Sequence, residues 1–122
     1  PGMLTVNVAP AKGLVWDLGD ARTLDQISIR VPKADFLRRV AIASGPLAIA
    51  SAALAGRPAP RSTIFFPAKQ SDYSLLFDGG DLTEGPLSTV ITVKDDGVMV
   101  QRIGAISLAE LREVTPNIGI PA

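Results

Sequence analysis

A helical pattern set between two strand-like runs limits this fold more than any other feature of the sequence. Gln26 to Val31 (QISIRV) alternates apolar and polar side chains and stops at Pro32, which cannot donate to a sheet ladder. Ala34 to Ser44 then puts Phe36, Leu37, Val40 and Ala41 on one helical face, with Gly45-Pro46 as its stop. The short apolar run Leu47 to Ala50 reads as the next strand. A helix between two strands points to an α/β unit rather than a helix bundle.

The remaining patterns extend that reading. Met3 to Ala9 alternates and is closed by Pro10, so it predicts a strand. Lys12 to Asp25 is a turn-rich excursion around Trp16, Asp17, Leu18, Gly19 and Asp20, in which Trp16 serves either as a hydrophobic plug or as a base-stacking platform. Pro67 falls in the middle of Ser62 to Asp72 and limits that stretch to a short helical turn or a loop. Tyr73 to Phe77 predicts a strand ended by Asp78-Gly79-Gly80. Ser88 to Val93 is rich in β-branched residues, and Lys94-Asp95-Asp96-Gly97 turns the chain into Val98 to Arg102. Ser107 and Glu110 form a Ser-x-x-Glu capping box for a helix to Val114, and Thr115 to Ala122 is expected to fray.

What is lacking narrows the chemistry. The 122 residues contain neither Cys nor His, which excludes a disulfide framework, a thiolate nucleophile, a Ser-His-Asp triad and an ordinary zinc site. Hydroxyls, carboxylates, Lys, Arg and backbone groups remain. Twelve acidic residues balance twelve basic ones, so net charge offers no drive towards nucleic acid, although a local basic patch is compatible with it. No apolar run is long enough to span a bilayer, and a single cytoplasmic domain over 1–122 is expected. The chain opens on Pro1-Gly2 and runs straight into a strand, which reads as the remainder of a longer polypeptide.

Gly45 to Pro60 (GPLAIASAALAGRPAP) is the most site-like stretch. Small residues at the end of a strand let a ligand approach the backbone. Taken singly, the polar candidates are ambiguous. Arg30 shares a strand face with Ser28 and Gln26 and is either solvated or aimed into a polar cleft, where its fork suits carboxylate or phosphate. Ser51 is a packing hydroxyl or a ligand contact, Ser88-Thr89 reflects strand propensity or a site, and Arg102 is a solvated strand end or an anion contact. Asp78, Asp81 and Glu84 lack the spacing of a Ca²⁺ loop and read as a solvated loop.

In combination these fragments carry more. Pro1-Gly2-Met3-Leu4-Thr5, Ile29-Arg30-Val31-Pro32, Gly45-Pro46-Leu47-Ala48 leading to Ser51-Ala52-Ala53-Leu54-Ala55-Gly56-Arg57-Pro58, Asp78-Gly79-Gly80, Pro86-Leu87-Ser88-Thr89-Val90 and Arg102-Ile103-Gly104-Ala105-Ile106-Ser107 occur in one order. The chain thereby resembles the C-terminal two-thirds of a YrdC-type threonylcarbamoyl-AMP synthase domain. That resemblance implies an α/β fold with a twisted mixed sheet and flanking helices, without the family's N-terminal portion and its Lys-Arg motif.

It also implies condensation of L-threonine, bicarbonate and ATP into threonylcarbamoyl-adenylate, for modification of tRNA. By the same resemblance Arg30, Ile49 and Ser88 contact L-threonine, and Gln26, Ser51, Ala59 and Arg102 lie at nucleotide-binding positions. ATP is a substrate, Mg²⁺ arrives through the nucleotide, and no protein metal ligand is implied. Ala53 stands where the family usually has Asn and Ala59 where it often has Ser, each a polar contact worth on the order of 1 kcal/mol. A non-catalytic module that binds nucleotide or structured RNA is the alternative, and a remnant that has lost its ligands is a third. Unpaired strand edges make self-association, or a complementing N-terminal segment, the expected partner.

Overall fold

The computed structural model describes residues 1–16 and 25–120, and residues 17–24 of the turn-rich excursion expected at 12–25 lie outside them. The chain divides into two compact units, Pro1–Leu47 with Pro86–Ala122, and Ala48–Gly85.

The first unit is built on a four-stranded sheet. Its strands are β1 (Leu4–Val8), β2 (Ile27–Ile29), β3 (Thr89–Lys94) and β4 (Gly97–Arg102), in the spatial order β2-β1-β3-β4. β1 runs antiparallel to β2 and parallel to β3, while β3 and β4 form an antiparallel hairpin with a register shift between Val90 and Ile91. The mixed α/β sheet expected from the alternating runs is therefore present.

Alternation along the strands gives this sheet two unlike faces. Val100, Leu111 and Ile118 are buried in its core, with Leu4, Ile91, Val98, Ile106 and Leu108 packed against them. Leu108 and Leu111 come from α2 (Leu108–Val114), which the sequence marks by its capping box. Ser107 Oγ accepts from the Glu110 amide at 3.3 Å, and the Ser107 amide donates to Glu110 Oε2 at 2.8 Å. The Ser107 hydroxyl also donates to Glu110 Oε2 at 2.6 Å, and that bond, followed by the one from the Ser107 amide, holds the Glu110 carboxyl below the usual carboxylate range.

The C-terminal stretch corrects the expectation of a frayed tail. Ile118 is only 4% exposed, and Gly119 exchanges backbone bonds of 2.8 Å with Val98 and Val100. One buried isoleucine and two main-chain bonds suffice to fix a segment whose Pro and Gly content suggests disorder.

α1 (Asp35–Ser44) follows β2. Asp35 ties its first turn together by accepting from Arg38 at 3.1 Å and Arg39 at 2.8 Å. Gly45 ends it with φ of +81°, a left-handed conformation that a side chain would resist, and its amide reaches the Ala41 carbonyl at 2.9 Å. No residue of α1 is buried, and Ile42 is 84% exposed.

The second unit has two single turns of 3-10 helix, Thr63–Phe65 and Gln70–Asp72, on either side of Pro67. This agrees with the limit that Pro67 places on the segment. Two expected strands do not form: Leu47 to Ala50 and Tyr73 to Phe77 join no ladder among the described residues, and Ile49 and Leu75 are 78% and 75% exposed. Short apolar runs match strands in composition, but an extended run becomes a strand only when a neighbour takes up its N–H and C=O groups. Trp16 is also corrected, since at 51% exposed it plugs no core.

Candidate functional site

The face of the sheet turned from the Val100 core is polar because Thr5, Asn7, Ser28 and Thr92 occupy the alternate positions of their strands. Ser28 Oγ donates to Asn7 Oδ1 at 2.6 Å, and Asn7 Nδ2 donates to Thr92 Oγ1 at 3.3 Å. One step along β1, Thr5 Oγ1 lies 3.1 Å from Ser88 Oγ. This row of hydroxyls and amides crosses β2, β1 and β3, and it is a surface suited to polar ligands rather than to apolar packing.

Ser88 and Arg102 meet at the end of this row. Arg102 Nε and Nη2 donate to the Ser88 carbonyl at 3.2 and 3.0 Å, and Nη2 also reaches Ser88 Oγ at 3.3 Å. Ser88 is 8% exposed while Arg102 is exposed, so a fixed hydroxyl sits beside a cation open to an incoming anion.

Two neighbours hold that arrangement in place. Thr89 is fully buried, and its hydroxyl donates to the Ile106 carbonyl at 2.6 Å while accepting from the amides of Gly104 at 2.9 Å and Ile106 at 3.0 Å. Gly104 lies so close to the Leu87 carbonyl and the Ser88 backbone that a Cβ there would overlap both. The Pro-Leu-Ser-Thr and Arg-x-Gly-Ala-Ile-Ser segments are thus joined through one hydroxyl and one absent side chain.

The other candidates are placed separately. Arg30 is exposed just beyond β2, donating from Nε to the Gly2 carbonyl at 3.0 Å and from Nη2 to Met3 Sδ at 2.8 Å. It lines an open groove of about 480 Å³ with Pro1, Pro32, Arg38, Arg39 and Ile42, among others, and neither Ser88 nor Arg102 lines that groove. Gln26 is exposed ahead of β2. Ile49, Ser51 and Ala59 belong to the second unit and are all exposed. There Ser51 Oγ accepts from the Ala53 amide at 3.1 Å, which makes it a turn-forming hydroxyl with its own proton still available.

Two carboxylates of the acidic loop have partners within the second unit. Asp78 accepts from Thr63 Oγ1 at 3.0 Å and from the Gly80 amide at 2.8 Å, and Glu84 pairs with Arg61 at 3.0 Å. Among the described residues no group of His, Cys, Asp and Glu is arranged to hold a metal ion.

Thr5 is the residue that reading the sequence missed, because it looks like an ordinary strand former. The available signal was register: with β1 beside β3, Thr5 and Asn7 share a face with Thr92. Thr89 was named with Ser88, but its bracing of Gly104 and Ile106 from the opposite face was not.

Comparison with known proteins identifies the family. Residues 1–104 match the Sua5_yciO_yrdC family model, described as Telomere recombination. The chain belongs to the Sua5/YciO/YrdC family. A putative threonylcarbamoyl-AMP synthase of Mycobacterium tuberculosis is 30% identical over 119 residues, covering 93% of this chain and 52% of that protein. One from Mycobacterium leprae is 28% identical over 115 residues, covering 93% of the chain and 51% of the relative. The chain therefore spans about half the length of the curated relatives it matches.

Solved structures agree. A doubly substituted P. abyssi Sua5 superposes with a TM-score of 0.81 at 27% identity, covering 99% of this chain and 37% of that one. P. abyssi Sua5 complexed with L-threonine gives 0.80 at 27% identity, over 99% and 36%. As a Sua5/YciO/YrdC chain, this protein carries the family's mixed sheet in its first unit. Among the described residues, no helix is long and apolar enough to cross a membrane.

Proposed function

We infer that this chain provides amino-acid and nucleotide contacts of a threonylcarbamoyl-AMP synthase, in which L-threonine, bicarbonate and ATP yield threonylcarbamoyl-adenylate, pyrophosphate and water. The observation that carries this reading is the contact of Ser88 with Arg102, at 3.0 to 3.3 Å. Ser88 is assigned to the amino acid and Arg102 to the nucleotide. A condensation that joins the two substrates needs their subsites to touch, since orientation of the reacting groups supplies much of the rate.

Arg30 holds the threonine carboxylate in this reading, once its bonds to Gly2 and Met3 are exchanged for the bidentate pairing a guanidinium favours. Gln26 contributes to the nucleotide contacts in the same reading. Mg²⁺ enters with ATP. The product would serve modification of tRNA in the cytoplasm. Family membership and the likeness to the L-threonine complex of P. abyssi Sua5 support the assignment.

Calorimetry with ATP and L-threonine, followed by a threonine-dependent pyrophosphate release assay, tests it on this chain and on a longer polypeptide extended at the N-terminus. Binding of both ligands and turnover in the longer polypeptide are expected. Absence of binding and turnover in both defeats the enzyme reading. Ala53, in the position usually held by Asn, favours a second reading as a binding module, for which tight RNA binding that weakens steeply with salt is the signature.

A further inference from the structure

We propose that Thr5 is a positioning residue that sets the direction of the Ser88 hydroxyl towards the bound amino acid, an assignment that rests on the threonine-binding reading of Ser88. Thr5 Oγ1 and Ser88 Oγ are 3.1 Å apart, and either can donate to the other. Arg102 has no such freedom. A guanidinium only donates, so Nη2 at 3.3 Å fixes Ser88 Oγ as the acceptor of one bond.

The proton inventory then follows. Ser88 keeps one proton and one further lone pair, and the proton needs an acceptor because the residue is 8% exposed. Without ligand, Ser88 donates to Thr5. When a carboxylate or carbonyl oxygen arrives, the bond reverses: Thr5 donates to Ser88, and Ser88 turns its own proton to the ligand. Accepting from both Arg102 and Thr5 also polarises the Ser88 O–H bond and makes it a better donor.

Placement favours this role over simple packing. Thr5 sits opposite Val90 in the ladder of β1 with β3, and the next residue, Val6, is paired on both sides, so the backbone around Thr5 is held in place. Its side chain lies on the face turned from Val100 and Leu111, where a hydroxyl adds nothing to apolar packing. Valine would fill the same space and suit the strand equally well. The hydroxyl itself is what requires a reason.

The test uses the full-length natural protein with Thr5→Val and Thr5→Ser, titrated separately with L-threonine and with ATP. Thr5→Val is expected to raise the Kd for L-threonine about five- to tenfold, to leave the Kd for ATP within about twofold, and to be rescued by Thr5→Ser. In a Ser88→Ala background the effect of Thr5→Val is expected to vanish, because the group it orients is gone. Equal L-threonine binding by Thr5→Val and the unsubstituted protein overturns the proposal while leaving the function intact. Parallel losses for both ligands, failure of Thr5→Ser to rescue, or additive effects with Ser88→Ala also overturn it. If the unsubstituted protein binds no L-threonine, the functional reading fails first and this assignment with it. Should Thr5→Val not fold, Thr5→Ala supplies the hydroxyl-free variant and is read in the same way.

Discussion

The two units of this chain differ in what stabilises each of them. Around the sheet, side chains are buried on one face, and the hydroxyls on the other are bonded to strands distant in sequence: Thr5 to Ser88 and Asn7 to Thr92. In Ala48–Gly85 the side-chain bonds among the described residues are mostly local and exposed, such as Ser62 to Ile64, Asp72 to Lys69 and Asp78 to Gly80. Long-range buried bonds fail together when one partner is lost, whereas local exposed bonds are readily replaced by water. Perturbations should therefore be costly in the sheet unit and mild in the other.

Gly104→Ala should strike hardest. Its new Cβ meets backbone, which cannot step aside as a side chain can, and a loss of about 3 kcal/mol or more is expected in urea unfolding. A loss under about 1 kcal/mol would show that the Leu87–Ser88 segment yields easily, and the comparison would break. Thr89→Val comes next, at about 2 kcal/mol, because it strips the amides of Gly104 and Ile106 of a buried acceptor while keeping the side-chain shape. Asp78→Ala removes two bonds in the second unit, and about 1 kcal/mol or less is expected from the same measurement. If it rivals Thr89→Val, the contrast between the units is wrong.

The smallest effect concerns acid. The Glu110 carboxyl titrates below the ordinary 4.5 because Ser107 donates to its charged form. A depressed folded-state value gives stability that is present above the unfolded value and disappears as pH falls through the folded one. Unfolding midpoints should therefore be flat in this respect from neutral pH down to about 4.5 and decline below it, and Glu110→Gln should blunt that acid limb.

The same contrast explains how far the sequence could be read. β1, β3 and β4 were legible because β-branched residues alternate there, and α2 because Ser107 and Glu110 spell its cap. Leu47 to Ala50 and Tyr73 to Phe77 were misread because composition reports strand propensity but not the presence of a pairing neighbour. Of the candidate site, Ser88 and Arg102 were named through the family-like blocks, but their contact with each other was not. Nor were the roles of Thr89 and Gly104, since each depends on a contact across 15 or 17 residues that no local pattern encodes. Ile118 carries no sequence signal of its burial, because a single isoleucine among Pro and Gly has no periodicity.

The parallel pairing of β1 with β3 bears on how the chain assembles. Asn7 and Thr92 are 85 residues apart, so this ladder closes a very long loop, while β3 and β4 turn back within a hairpin. Local pairings form before distant ones, and late arrival of β1 follows from topology alone. Closure entropy grows only with the logarithm of loop length, about 0.6 kcal/mol per doubling. The intervening segment can therefore lengthen or shrink considerably with little effect on the sheet, a latitude that leaves Ala48–Gly85 open to variation while β1 and β3 stay paired.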